Sequence, residues 1–207
     1  MLKFLLDCDP DAAWRALQSP TAFREVALPW LDFRSDEPAG FPTVWAEGEH
    51  RVTVRALGAF TVGTQAIRLS SERVREPGRG RGAGGVVGVS GTADVGGAGG
   101  TDGTVRILHD SGGGLSGMLA ALPHLDHRMA IAPDPAGPDA EGRLRTLYRD
   151  QLVVRAGALT PLAWYAMWGF WQWRGMRLRQ LAPTWAYDPP PAEPAAVAEP
   201  PEGAEPV

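Results

Sequence analysis

The chain has 207 residues, 44% of them apolar and 21% charged, with a formal charge of −4, long enough for one domain with a real core and marginal for two. Five acids near the C-terminus (Asp188, Glu193, Glu199, Glu202, Glu205) account for more than that net charge, so the remainder is close to neutral; this argues against a duplex nucleic-acid binder, which rests on a concentrated basic surface. The single cysteine, Cys8, excludes an intrachain disulfide and a cysteine-built zinc site.

Residues 2–8 alternate and are apolar enough for a first strand, and the apolar run within MLKFLLDCDP is too short for a secretory segment and meets acids at once. Cytoplasm is the default compartment. Two short helices follow within DPDAAWRALQSPTAFREVA: Asp9 caps the first with Pro10 at its first position, and Ser19-Pro20 closes it and opens the second. From Trp30 the period becomes two. Strands are expected over 30–35, 47–57, 60–71, 104–110, 124–132 and 143–155, separated by glycine, proline and aspartate. In the last of these, Leu144, Thr146, Tyr148, Asp150, Leu152 and Val154 share one face and Arg143, Arg145, Arg149 and Arg155 the other. A helix of about 22 residues is bracketed by Pro161 and Pro183.

The domain therefore spans 1–185, interrupted by a glycine-rich insertion at 74–103 that is expensive to order and reads as a flexible loop. Its GRGAGG, at 80–85, fits GxGxxG, but VVGVSG after it is no helix, so no dinucleotide cofactor is expected. Residues 186–207, rich in proline, alanine and glutamate, read as a disordered acidic tail. No GxSxG, HExxH or P-loop motif occurs, and Lys3 is the only lysine.

The expected architecture is α+β: a seven-stranded curved antiparallel sheet, two short helices after strand one, and a long C-terminal helix covering one sheet face. In this order DPDAAWRAL, GEHRVTVRALGAFTVGTQAIRLS, LDHRMAIAP, LYRDQLVVRAGALTPLAW and WRGMRLRQLAP resemble the START-like, or SRPBCC, superfamily of helix-grip domains, which includes polyketide cyclases and lipid-transfer domains. The likeness is greatest to uncharacterised bacterial members whose last strand reads YRD and runs through AGALTP into the helix. The resemblance implies an internal cavity binding a small hydrophobic molecule of lipid, polyketide or isoprenoid class. It does not imply catalysis, because the scaffold serves enzymes and carriers alike.

Alternation names the inward side chains. His127 and Met129 share the apolar face of their strand, Gln65 and Ile67 that of theirs, and Tyr148 and Asp150 that of the last. HLDH fails as a metal pair because His124 and His127 lie on opposite sides of a strand. Pairing the last two strands across PDPAGPDAEG brings His127 beside Tyr148, with Asp150 one step further. Ligand hydrogen bonding is one use of such a group. The alternative is a cyclase, aromatase or dehydratase in which His127 is the base, Asp150 its partner and Tyr148 the holder of an oxyanion. Cys8 reads as core, and GGGLSGMLAAL as a loop and short helix able to gate a cavity mouth.

The aromatic run WYAMWGFWQW opens the last helix. On a helical wheel Trp164, Trp168 and Trp171 share a stripe with Gly175, Leu178 and Ala182, so these tryptophans are expected to form the inward wall, leaving Tyr165, Phe170 and Trp173 outside. Spanning a membrane is not expected of so short a run. The outer aromatics leave a homodimer mate or a peripheral membrane contact as candidate partners.

Overall fold

The computed structural model describes residues 1–75 and 104–185. The expectations for the 80–85 motif and the 186–207 tail lie outside the described residues. Strand β1 (Leu2–Leu6) leads into helices α1 (Pro10–Leu17) and α2 (Pro20–Ala27). Both helices start as read: Asp9 Oδ1 accepts the backbone N–H groups of Asp11 and Ala12 at 2.8 and 2.9 Å, and Ser19 Oγ accepts that of Ala22 at 3.3 Å. Then come β2 (Leu31–Ser35), β3 (Gly48–Ala56), β4 (Phe60–Arg75), β5 (Thr104–Asp110), β6 (Gly113–Gly114), β7 (His124–Pro133), β8 (Thr146–Arg155) and helix α3 (Thr160–Trp185).

All strand pairings are antiparallel, in the order β1-β8-β7-β5-β4-β3-β2, with β6 attached to β4. Among the described residues the seven expected strands are present, and β6 is an eighth. β4 outruns its expected end, since Val74 and Arg75, read as insertion, still pair with Val105 and Thr104. β6 exists because glycines allow it. A Cβ on Gly114 would sit 1.7 Å from the Leu119 carbonyl oxygen, so only a bare backbone lets the following 3₁₀ turn (Gly117–Ala121) fold back that closely on β6.

One face of the sheet carries Phe4, Val52, Ile67, Leu108, Met129 and Tyr148 into the core, against α1, α2 and the second half of α3. Gly175 is where α3 comes down on β1: a Cβ there would press on Leu2 Cδ1 at 3.1 Å and Phe4 Cε1 at 3.4 Å. Pro183 does not stop α3, which continues to Trp185. Trp185, the last residue described there, is itself buried.

The inward wall needs correction. Trp171, Gly175, Leu178 and Ala182 are buried as the wheel requires, yet Trp164 and Trp168 are each 53% exposed. The stripe is right in rotation, but α3 is about 39 Å long at 1.5 Å per residue, and burial along it begins only at Phe170. Phe170 and Trp173, expected outside, are also turned toward the body. Phe170 is buried, and the Trp173 indole N–H donates to the Leu28 carbonyl at 2.9 Å. Tyr165 is exposed as read. None of the described helices is long and apolar enough to cross a membrane.

The two halves of α3 should respond differently to truncation. Leu178→Ala is expected to cost about 2–5 kcal/mol of stability and Leu162→Ala less than about 0.5 kcal/mol, measured by urea unfolding. Equal losses would mean that the first half is packed too.

Candidate functional site

The site is built from the inward faces of β5, β7 and β8 and from one turn of α3. Antiparallel register sets Asp110 opposite His127, Leu108 opposite Met129 and Met129 opposite Asp150. His127 pairs with Leu152 and Tyr148 with Ile131, so the expected pairing of His127 with Tyr148 is wrong by four residues along β8. The turn residues joining these strands are long and irregular enough to leave that register open from sequence. The face is nevertheless shared, and Asp150 is the diagonal neighbour of His127 and two residues from Tyr148.

The three side chains therefore still meet. His127 Nε2 lies 2.8 Å from Asp150 Oδ1, and the Tyr148 hydroxyl donates to Asp150 Oδ2 at 2.8 Å. All three are buried, Tyr148 and Asp150 almost completely. From above, Arg174 brings its Nε to 3.8 Å from Asp150 Oδ2, while its Nη2 donates to Met129 Sδ at 3.1 Å. The guanidinium also lies 5.5 Å from the centroid of Trp171, whose ring meets that of His127 edge-on at 4.7 Å.

The charges in this cluster are set by competing effects. Burial alone would raise the Asp150 carboxyl, but the neighbouring charge and hydrogen bond of His127, together with Arg174 and Tyr148, outweigh it and hold the carboxyl below its usual range. Burial pushes the Tyr148 phenol well up, and the Asp150 charge adds to that shift, so it stays a hydrogen-bond donor. Burial works against the Arg174 cation, but Tyr148 and Asp150 more than offset it. Asp110 differs: burial raises its carboxyl, only partly countered by His127 and by the N–H groups of Arg68 and Gly112, which donate to Oδ1 at 2.9 Å each.

Beside this cluster is a cavity of about 30 Å³, lined on its apolar side by residues including Leu17, Phe23, Val26, Ile67, Leu69 and Leu178, and on its polar side by Asp110, His127 and Arg174. That volume admits roughly one or two waters. Ile67, His127 and Met129, expected at the cavity, do line it, whereas Gln65, Tyr148, Asp150, Trp164, Trp168 and Trp171 do not. Gln65 shares its strand face with Ile67 but lies further along β4, where β6 pairs with it. Tyr148 and Asp150 sit beneath His127, sealed from the cavity, and Trp171 packs on the His127 ring. The segment expected to gate the mouth contributes no lining residue; it straps β4 instead.

Sequence reasoning missed Asp110 and Arg174. Arg174 lies three residues after Trp171 and four before Leu178, which makes it a cation inside an apolar stripe, and that was the available signal. Asp110 ends a strand two residues before the first glycine of a run, Gly112, whose backbone N–H it accepts. Cys8 is buried as read, and burial pushes its thiol up to about 12, which keeps it unreactive. Among the described residues no group of three His, Cys, Asp or Glu side chains is arranged to hold a metal ion.

No family model and no curated protein matches this chain. Among solved structures, the X-ray crystal structure of protein CV1439 from Chromobacterium violaceum aligns over 87% of this chain and 94% of its own, at 16% identity and a TM-score of 0.47. That is too slight a likeness to carry an argument.

The raised carboxyl of Asp110 gives a pH test with a definite sign. A group raised in the folded state contributes stability that is full below its unfolded pKa and is lost as pH rises through the folded one. Asp110→Asn keeps an oxygen for the two N–H groups and has no charge to bury. Its stability relative to the parent should therefore rise between pH 4 and pH 8 by more than the about 0.5 kcal/mol scatter of neutral substitutions. Urea unfolding across that range checks it, and a constant difference would show that the carboxyl titrates as it does in the unfolded chain.

Proposed function

We propose that this chain is a START-like, helix-grip domain that takes up a small, mainly apolar molecule between its sheet and its helices, without chemistry of its own. The observation that carries this reading is the cavity wall: apolar side chains from α1, α2, β4, β5 and α3 around a short polar edge of Asp110, His127 and Arg174. Ligand sites typically combine an apolar lining with a few convergent polar groups. Burying three titratable side chains at one end of an apolar hole is a poor way to gain stability alone.

The small volume limits what can enter. Ligand pockets of drug size run to about 300–1,000 Å³, so a lipid, polyketide or isoprenoid needs a wall to move. The wall best placed to do so is the α1–α2 pair, two helices of eight residues each. They contribute Ala16, Leu17, Ala22, Phe23 and Val26 to the lining.

A second reading, catalysis, is favoured by the unbroken hydrogen-bonded chain from Tyr148 through Asp150 to His127. It ranks below uptake because only His127 of the three reaches the cavity. Tyr148 would have no access to a developing oxyanion.

A ligand that binds only the folded state raises the unfolding midpoint by mass action. Hexan-1-ol at increasing concentration should raise the midpoint of the parent chain, and Ala22→Leu, which fills the cavity from α2, should reduce that rise at least tenfold in apparent affinity. Equal shifts in both proteins would place binding elsewhere and sink the reading.

A further inference from the structure

Antiparallel pairing sorts the connections of the sheet to its two ends. Leu31 pairs with Ala56, Ala56 with Phe60, Leu69 with Asp110, Asp110 with His127 and His124 with Arg155. Residues 28–30, 57–59, 111–123 and the start of α3 therefore emerge at one end of the sheet, and residues 7–9, 36–47 and 134–145 at the other. The two ends differ in chemistry. Residues 7–9, 36–47 and 134–145 hold eight acids and two arginines, whereas 28–30, 57–59, 111–123 and 156–173 contain no Asp, Glu, Lys or Arg. At this uncharged end Trp30, Phe60, Met118, Leu162, Tyr165 and Trp168 are each at least 49% exposed. The connections are tied to one another and to the body. Leu57 N–H donates to the Trp30 carbonyl at 2.9 Å, Leu115 N–H to the Thr64 carbonyl at 2.8 Å, and the Trp173 indole to the Leu28 carbonyl.

We propose that the uncharged end is a lipid-contact surface, which seats the protein on the interface of a bilayer and leaves the acidic end in water. A large exposed apolar patch marks a contact with another protein or with a membrane, and three observations favour the membrane. At about 100° per residue Leu162 and Trp164 lie roughly 160° apart around α3, with Tyr165 and Trp168 between them, a wider arc than the apolar stripe of about 100° that a packed helix buries. A second copy of the chain covers one side of such a helix, whereas an interface covers the whole arc. Tryptophan and tyrosine, amphipathic rings, suit the depth of the headgroups. Immersing the four uncharged stretches removes no formal charge from water. The exposed charges next to them in sequence, Glu25, Asp126 and Arg155, are of mixed sign. The contact therefore rests on apolar insertion and not on attraction to anionic headgroups.

The experiment is co-flotation of the full chain with phosphatidylcholine vesicles, at low salt and at about 0.5 M salt, where exposed charges are screened within a few ångströms. The parent should float with the vesicles in both. Leu162→Glu combined with Trp168→Glu should lower the vesicle-bound fraction at least about tenfold, and Phe60→Glu, on a separate element, should lower it too. A parent left in the lipid-free fraction overturns the proposal, as does flotation lost at high salt or unchanged in both variants. Light scattering without lipid separates the other occupant of this surface. A monomeric parent upholds the proposal, and a dimeric parent that the Leu162→Glu, Trp168→Glu pair turns monomeric assigns the surface to a second copy and overturns it. Flotation of the parent decides the matter even where a variant does not fold.

Discussion

A carboxylate removed from water, Asp150, orients the long helix α3 on the sheet. Burying an ion is tolerable only when its oxygens are met by donors, and here the donors come from separate elements: Tyr148 from the same strand, His127 from β7 and, at longer range, Arg174 from α3. Apolar packing alone lets a helix slide or turn with little loss. A guanidinium that must face one particular carboxylate does not, so Arg174 fixes both the rotation of α3 and its position along the sheet. Gly175, next in sequence, then lets the helix rest directly on Leu2 and Phe4. The Arg179 guanidinium, 4.3 Å from the Phe4 centroid, continues the contact toward the C-terminal end.

This pinning divides α3 into two parts. From Phe170 to Trp185 it closes the core, and from Thr160 to Gly169 none of its residues is buried. Two members of the cluster that anchors the helix, His127 and Arg174, also stand with Asp110 at the polar edge of the cavity. His127 joins the two roles. Its Nε2 faces the sealed Asp150, while the residue itself borders the cavity opposite Asp110. Any molecule reaching it meets a group whose orientation is already set from below by Asp150 and from the side by Trp171.

Much of this was legible in the chain. Period-two alternation placed His127, Met129, Tyr148 and Asp150 on one inner face, and proline after a capping residue located both short helices. Alternation fixes a face but not a register, which is why His127 was set against the wrong residue of β8 while still meeting Asp150. The wheel fixed the rotation of α3 but not how much of it the body covers, so Trp164 and Trp168 were placed inside. Arg174 was missed for a different reason. An arginine within an apolar stripe reads as a flank until the buried acid that receives it is known, and that acid lies on another element.

The central claim is that the cavity between the sheet and the helices takes up a small, mainly apolar molecule. The most direct measurement is organic extraction and mass spectrometry of molecules carried by the freshly purified full chain, beside Ala22→Leu prepared in parallel. The account predicts a small, mainly apolar molecule near one equivalent from the parent chain and its loss from the variant. An extract with no such molecule, or one equally abundant from both proteins, would contradict it.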